Sequence, residues 1–330
     1  MDFPTRRLRR LRRTPALRRL VAETRVTVDD VVAPLFVREG IDEPAPIASL
    51  PGVVQHTRES LRKEVAALAD LGVPGVIIFG VPAVKDEEGS GAWDPHGIAQ
   101  LALRDVKDEV GDAVVVMADL CLDEYTTSGH CGVLAPDGSV DNDATLDRYA
   151  RVALAQADAG VDVVAPSGMM DGQVAAIRRA LDEGGHAGVP ILAYAAKYAS
   201  ALYGPFRDAV DVTITDGGDR RSYQQDPRNR REAGLEVALD LVEGADMVMV
   251  KPATAYLDVV ADVRAAVDVP VAAYSVSGEF AMVKAAAERG WLDGPAVAVE
   301  QLTAIKRAGA DLILTYLSRW FAERSSGAGR

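Results

Sequence analysis

The chain has 330 residues, 48% of them hydrophobic, which is enough for a large buried core, and its net charge is −13. Two cysteines are too few for a disulfide framework, no stretch reaches the ~18 apolar residues of a membrane span, and no apolar run follows the N-terminal arginines as it would in a secretory signal. These features argue against a disulfide scaffold, a membrane-spanning protein and a secreted one, and we expect a cytoplasmic protein.

Residues 1–25 differ in charge from the rest of the chain. The first 20 residues carry eight arginines and one acid, a net charge of +7, which leaves −20 on the remainder. We interpret residues 1–25 as an arm appended to a single domain, residues 26–330. The acidic domain argues against a nucleic-acid surface there, and although a basic tail can bind nucleic acid, we expect no such partner.

Short runs rich in Val, Ile and Ala alternate with amphipathic segments beyond the arm. Most runs are apolar on both faces, as in strands buried in a parallel sheet, and several of the intervening segments end in Gly, which is typical of a helix C-terminus. The eight runs are residues 31–37, 75–80, 114–119, 161–167, 191–197, 246–251, 270–275 and 311–316. This pattern predicts a (β/α)8 TIM barrel with an N-terminal arm; a doubly wound sheet is the alternative, although no G-x-G-x-x-G follows the first run. Long segments after three of the runs, at about 82–96, 120–145 and 198–232, are predicted to be loops that cover the active site.

A cysteine segment, LCLDEYTTSGHC, follows the third run. Cys121, Asp123 and Cys131 offer two thiolates and a carboxylate that could hold a metal ion with one open position, and the alternative is a loop with two free thiols. Asp119, at the end of the run, is a candidate acid/base, and the alternative is a carboxylate that only orients the groups beside it.

Two of the seven lysines end apolar runs: Lys197 in ILAYAAK and Lys251 in DMVMVK. At the rim of a barrel such lysines are desolvated, and a second ammonium nearby would lower the pKa of each further. A neutral amine is the form that attacks a ketone to make a Schiff base, so two such amines suggest two carbonyl substrates. The alternative is a pair of structural, salt-bridged lysines.

Polar side chains that could bind substrate lie after the later runs. Arg207, Arg220 and Arg221 could bind a carboxylate, because a guanidinium does so through two hydrogen bonds, and the alternative is solvated surface arginines. Ser277 and Tyr316 are hydroxyl residues at strand ends, where they could bind a second carboxylate.

These segments together resemble the porphobilinogen synthase, or 5-aminolevulinate dehydratase, family, and the match runs nearly end to end. The segments that carry the resemblance include MADLCLDEYTTSGHCGVL, AYAAKYASALYGPFRDA, GDRRSYQQDPRNRREA and GADMVMVKPATAYLD. The resemblance implies a lyase without an organic cofactor that condenses two molecules of 5-aminolevulinate to porphobilinogen, with loss of two waters, in tetrapyrrole (heme) biosynthesis.

The resemblance also implies a role for each predicted site residue. Lys251 would form a Schiff base with the molecule that becomes the propionate side of the product, and Lys197 with the molecule on the acetate side. The carboxylate of the second molecule would be bound by Arg207 and Arg220, and that of the first by Ser277 and Tyr316.

The implied metals are Zn²⁺ and Mg²⁺. Cys121, Asp123 and Cys131 occupy the zinc segment, where zinc-dependent members carry three cysteines and other members replace the cysteines and carry Asp in the middle. Zinc is therefore the first interpretation of this mixed set. Glu236 matches the carboxylate of an allosteric Mg²⁺ site at a subunit interface, with Asp171 as an outer-shell candidate.

The arm resembles the N-terminal extension that wraps a neighbouring subunit in a homo-octamer, which implies subunit contacts for residues 1–25. The sequence leaves two alternatives to the synthase. One is another class I Schiff-base aldolase that uses one lysine, and the other is a non-enzymatic barrel scaffold.

Overall fold

Residues 5–214 and 218–327 are described by a computed structural model, and within them the eight apolar runs form the strands of a barrel. Strands of this part of the chain are β1 (Val31–Arg38), β2 (Ala45–Pro46), β3 (Val54–His56), β4 (Gly75–Val81), β5 (Val115–Leu120), β6 (Val163–Pro166), β7 (Leu192–Lys197), β8 (Met247–Lys251), β9 (Val271–Ser275) and β10 (Leu312–Thr315). The barrel order is β6-β5-β4-β1-β10-β9-β8-β7, and every pair in it is parallel.

The barrel is nearly closed between its first and last strands in that order. A single parallel bridge, Val164 with Ile191, joins the edge of β6 to the start of β7. The prediction of a (β/α)8 barrel is therefore confirmed, and the doubly wound alternative is wrong. Continuous apolar runs form these strands because both faces are buried, one by the barrel interior and the other by the helices.

Helices connect the strands and cover the outside of the barrel. They are α1 (Pro15–Leu20), α2 (Arg58–Asp70), α3 (Ile98–Val110), α4 (Asn142–Asp158), α5 (Gln173–Glu183), α6 (Gly204–Ala209), α7 (Glu232–Glu243), α8 (Leu257–Ala266), α9 (Ser277–Glu288), α10 (Gly294–Ala308) and α11 (Ser318–Gly327). Among the described residues, no helix combines the length and the apolar character needed to cross a bilayer.

Two features of the loops differ from the sequence-based expectation. The predicted loop 198–232 contains the short helix α6, which begins with a Gly-Pro pair. Strands β2 and β3 form a small antiparallel hairpin after β1, and β3 also pairs in parallel with the end of β1. Both features lie at the carboxyl-terminal face of the barrel, where the loops after the strands meet.

The arm extends as a largely exposed segment ahead of β1. A 3-10 helix (Leu8–Arg12) precedes α1, and the Thr14 hydroxyl caps α1 by accepting a hydrogen bond from the backbone N–H of Leu17 at 3.2 Å. Apolar side chains of the arm face solvent, with Leu8 66% and Leu20 76% exposed.

Candidate active site

Lys197 and Lys251 lie side by side at the carboxyl ends of β7 and β8. The strand register pairs the two residues directly, so their side chains leave neighbouring strands on the same face of the sheet. The side chains are buried, with Lys197 5% and Lys251 4% exposed. Neither amine forms an ion pair within the described residues, so the alternative of two salt-bridged structural lysines does not describe the site.

The amine of Lys251 sits in an aromatic enclosure. Its Nζ lies 4.5 to 5.3 Å from the centroids of four rings, those of Tyr194, Tyr203, Phe206 and Tyr274. Burial, and secondly the positive charge of Lys197, lower the pKa of Lys251 to about 7. A substantial fraction of this amine is therefore neutral near pH 7, which is the state required of a Schiff-base nucleophile.

Lys197 is connected to Asp119 through one residue that follows β6. Its Nζ donates a hydrogen bond to the backbone oxygen of Ser167 at 2.6 Å, and the Ser167 hydroxyl donates to Oδ2 of Asp119 at 3.1 Å. Burial raises the pKa of Asp119 to about 6, although the two lysine charges oppose this shift. A carboxyl group that titrates close to neutrality beside two amines can both give and accept a proton.

The arginine side of the site opens into a cavity of about 620 Å³, lined by residues that include Lys197, Lys251, Tyr203, Phe206, Arg207 and Arg220. Burial and the charge of Arg220 lower the pKa of Arg207, which forms no ion pair within the described part of the chain. Arg221 and Arg228 also line this cavity, so it joins both amines to four guanidinium groups, which is suitable for a keto acid.

Arg220 is not free in this structure, which the sequence did not indicate. Its Nη2 donates to the backbone oxygen of Gly129 at 2.7 Å and lies 2.8 Å from Oδ2 of Asp123. Its Nε is buried and has no hydrogen-bond partner among the described residues. The guanidinium therefore connects the predicted metal ligand Asp123 to the cavity and keeps one donor available for another anion.

Ser277 and Tyr316 lie on the Lys251 side of the site. The Tyr316 hydroxyl is 3.2 Å from that of Tyr274, whose ring faces Lys251. Ser277, the first residue of α9, donates its hydroxyl to the backbone oxygen of Leu202 at 3.3 Å. Sequence reasoning missed Tyr194, Tyr203, Phe206 and Tyr274 as the walls around Lys251. The available signal was a tyrosine inside otherwise aliphatic strands of a chain with 5% aromatic residues.

Cys121, Asp123 and Cys131 converge as the sequence predicted for a metal site. Their ligand atoms all lie within 4.8 Å of one another, and all three side chains are buried. Asp119, Cys121 and Glu124 form a second, overlapping group of this kind, and Oε1 of Glu124 is buried with no hydrogen-bond partner in the part of the chain that the structure describes. Two thiols, a carboxylate and a spare buried acceptor are a donor set that suits zinc.

Glu236 lies on α7, far along the chain from the cysteine segment, in a group of acidic side chains. Burial raises its pKa, and the charge of Asp171 is the next cause. One turn along the helix, burial and the neighbouring charges of Glu243 and Glu236 raise the pKa of Asp240 to about 8. Within the described residues neither Glu236 nor Asp240 pairs with a basic side chain, so this group would be stabilised by a cation.

A family model and the most similar sequences compared all carry the description delta-aminolevulinic acid dehydratase. A family model described as delta-aminolevulinic acid dehydratase matches residues 5–324. The delta-aminolevulinic acid dehydratase of Streptomyces coelicolor is 61% identical over 317 residues, covering 96% of this chain and 96% of that protein. The protein of the same name from Mycobacterium tuberculosis is 58% identical over 317 residues, again with 96% of each covered.

A solved structure agrees with the sequence comparisons. Delta-aminolevulinic acid dehydratase (porphobilinogen synthase) from Toxoplasma gondii, in complex with the reaction product porphobilinogen, superposes with a TM-score of 0.94 at 41% identity. The match covers 97% of this chain and 91% of that one.

Proposed function

We propose that in this chain, which belongs to the delta-aminolevulinic acid dehydratase family, Lys251 and Lys197 each hold one substrate molecule as a Schiff base. The chain is a lyase that makes porphobilinogen from 5-aminolevulinate. The observation that carries this proposal is the register pairing of the two buried lysines on β7 and β8. Family membership also removes the non-enzymatic scaffold from consideration.

The chemistry follows from two amines that each capture a ketone. Lys251 is a competent nucleophile near neutrality because its pKa is about 7. With both molecules fixed in one cavity, an aldol-type addition forms the carbon–carbon bond, a substrate amino group closes the pyrrole ring, and two waters leave. Holding the reactants together makes the coupling effectively intramolecular. Asp119, next to both amines, serves as the acid/base for the proton transfers.

Each substrate carboxylate has its own binding group in this proposal. Arg207 and Arg220 bind the molecule attached to Lys197, and both line the cavity beside that lysine. Ser277 and Tyr316 bind the molecule attached to Lys251, which agrees with the contact of Tyr316 with Tyr274. The two molecules are chemically identical, so this division of polar groups is what gives them different orientations.

Cys121, Asp123 and Cys131 would hold a Zn²⁺ ion, which as a Lewis acid would polarise groups of the second substrate molecule. Glu236 would bind an allosteric Mg²⁺, with Asp171 in its outer shell. Elemental analysis of the purified protein, with the Cys131→Ser and Glu236→Gln variants, tests the two assignments separately. We further propose that the enzyme is cytoplasmic and assembles as a homo-octamer through its arm.

Reductive trapping tests the two-lysine mechanism. Borohydride treatment in the presence of 5-aminolevulinate should attach label to Lys251 and Lys197, as identified by peptide mass spectrometry. Lys251→Ala should lose activity by at least about 10³-fold, because the variant lacks the amine that forms this Schiff base. Assay of the product with Ehrlich's reagent separates the two kinds of enzyme, because a pyrrole reacts with the reagent and the product of a one-lysine aldolase does not. Normal turnover by Lys251→Ala would refute the mechanism.

A further inference from the structure

Helix α6 brings two side chains over the lysines. The Phe206 ring lies 5.1 Å from Nζ of Lys251 and packs edge-on against Phe79 of the barrel, with ring centroids 5.1 Å apart. The next residue, Arg207, lines the cavity that both lysines face. The position of this six-residue helix therefore affects both the access of water to the Lys251 amine and the location of the Arg207 guanidinium.

A six-residue helix is too short to be stable by itself, so its position must come from contacts outside it. One of these contacts comes from Gln55 of β3, whose side chain is buried. Its amide nitrogen Nε2 donates a hydrogen bond to the backbone oxygen of Ala209, the last residue of α6, at 2.8 Å. Strand β3 is itself attached to the barrel, since Gln55 pairs with Phe36 of β1.

Further polar contacts join the same region to the residues just after α6. Nη1 of Arg38, the last residue of β1, donates to Oε1 of Gln55 at 2.8 Å and lies 2.6 Å from Oδ2 of Asp211. Nζ of Lys85 donates to the backbone oxygen of Asp211 at 2.8 Å. Asp211 has a φ of +51°, a strained conformation for a residue other than glycine, which its neighbours must maintain.

The β2–β3 hairpin completes these contacts from the segment between its strands. The Ser49 hydroxyl donates to Oδ2 of Asp208 at 2.5 Å. Ile47 and Leu50 belong to the same apolar cluster as Ala209 and Val210. Gln55 is hydrogen-bonded both to α6 and to Arg38, so it lies at the centre of this contact network.

We propose that Gln55 is a positioning residue for the condensation: from the β2–β3 hairpin it fixes α6 so that Phe206 covers Lys251 and Arg207 faces the cavity. This inference rests on the proposed function, because it concerns how the Schiff-base lysine and a substrate-binding arginine are held in place. Gln55 does not itself touch the lysines.

The consequence is measurable because the ionisation of Lys251 reports on its surroundings. The groups that face it from the packed elements are Lys197 and Tyr194 on β7, Asp119 on β5, Asp123 and Glu124 in the following loop, Tyr203 ahead of α6, Tyr274 on β9 and Tyr316 after β10. None of these belongs to the hairpin. A hairpin substitution that loosens α6 changes the access of water to Lys251 without changing any neighbouring charge.

The experiment uses levulinate, a keto acid, as the probe and cyanoborohydride as the reductant, over a range of pH in the full-length protein. Mass spectrometry then quantifies the label on Lys251. In Gln55→Leu the pH midpoint of labelling should rise by about one unit relative to wild type, because hydration favours the protonated amine. The KM for 5-aminolevulinate should rise about five-fold, with a smaller change in kcat, because Arg207 is displaced.

Gln100→Leu is the matched control. Gln100 is also a buried glutamine, and its amide nitrogen donates a hydrogen bond to the backbone oxygen of Ala92 at 2.7 Å. Neither Gln100 nor Ala92 belongs to α6 or to the hairpin. The control variant should keep the wild-type midpoint and KM. Arg38→Gln, at a half-exposed position, provides a second test if Gln55→Leu does not fold, and it should shift the midpoint in the same direction.

Wild-type midpoints and KM values in both Gln55→Leu and Arg38→Gln would overturn the inference. An equal shift in Gln100→Leu would also overturn it, because the effect would then be a general response to core substitution. A wild-type protein that labels neither lysine would refute the proposed function, and this inference with it.

Discussion

At the scale of single residues, the buried amine of Lys251 that we propose as a nucleophile has a cost in stability. Its pKa in the folded protein is about 7, whereas in an unfolded chain it is about 10.4. Between these values the unfolded chain binds more protons, so the contribution of this residue to the free energy of unfolding rises with pH across that window. Below pH 7 the destabilisation is fully present.

Lys251→Met should therefore raise the free energy of unfolding by a few kcal/mol at pH 6 and by progressively less toward pH 10. Urea unfolding at a series of pH values measures this difference. Lys63→Met is the control, because its side chain is 74% exposed, and it should leave the pH dependence unchanged. A gain that is equal at pH 6 and pH 9.5 would show that the amine is not held neutral by burial.

The residues of the site were predictable to different degrees. Lys197 and Lys251 could be identified because a lysine at the end of an apolar strand is conspicuous in a chain with seven lysines. The ion pair of Arg220 with Asp123 could not be predicted, because its partners come from two loops that meet only when the barrel closes. The same is true of the aromatic enclosure, whose rings come from different elements.

At the scale of elements, the barrel strands were predictable and the hairpin was not. A parallel strand that is buried on both faces produces a continuous apolar run, which is visible without any knowledge of its partners. Strands β2 and β3 have two and three residues, and one of these residues is Pro46, so no periodicity is available to identify them. They exist because of their contacts with β1 and α6.

The cysteine segment is held in place by Tyr149 of α4, which packs closely against Gly168 after β6. Tyr149 of α4 is fully buried, and its hydroxyl donates to the backbone oxygen of Cys131 at 2.7 Å while lying 3.9 Å from Sγ of Cys121. Gly168, after β6, contacts this hydroxyl so closely that an added Cβ would overlap it. Glycine is required here by space, since Tyr149 cannot retreat without moving Cys131.

Gly168→Ala should consequently lower the free energy of unfolding by about 1–3 kcal/mol, the usual cost of overpacking, and weaken metal binding at the cysteine segment. Urea unfolding measures the first effect, and the absorption of Co²⁺ bound to thiolates measures the second. Gly188→Ala is the matched control, because nothing lies within 4 Å of the place that its new Cβ would occupy. Unchanged Co²⁺ affinity in Gly168→Ala would show that Tyr149 does not support the ligands.

At the scale of the whole molecule, the basic arm and several exposed apolar side chains offer surfaces for the subunit contacts that we propose. The arm is basic, whereas the remainder carries −20. Leu8, Leu11 and Leu20 of the arm are exposed. A stripe on α7 is exposed as well, and its residues Leu235, Leu239 and Val242 are 69%, 58% and 87% exposed. These three residues recur at helical spacing on one face of α7, and such a face on a stable protein is normally covered.

Deletion of residues 1–25 should therefore reduce the size of the assembly, as measured by sedimentation velocity, because it removes both the basic charge and the exposed leucines.

Two full-length variants separate these causes. Replacing Leu8 and Leu11 by Ser retains the charge, and replacing Arg9 and Arg10 by Gln retains the apolar contacts. If charge attraction dominates, the arginine variant should dissociate. The wild-type assembly should then also weaken with added salt, because the Debye length falls to ~3 Å at 1 M and attraction between exposed charges is screened beyond that distance. If apolar burial dominates, the leucine variant should dissociate and salt should have little effect. An assembly of unchanged size after deletion would show that the arm makes no essential subunit contact and that other surfaces, such as the α7 stripe, hold the protein together.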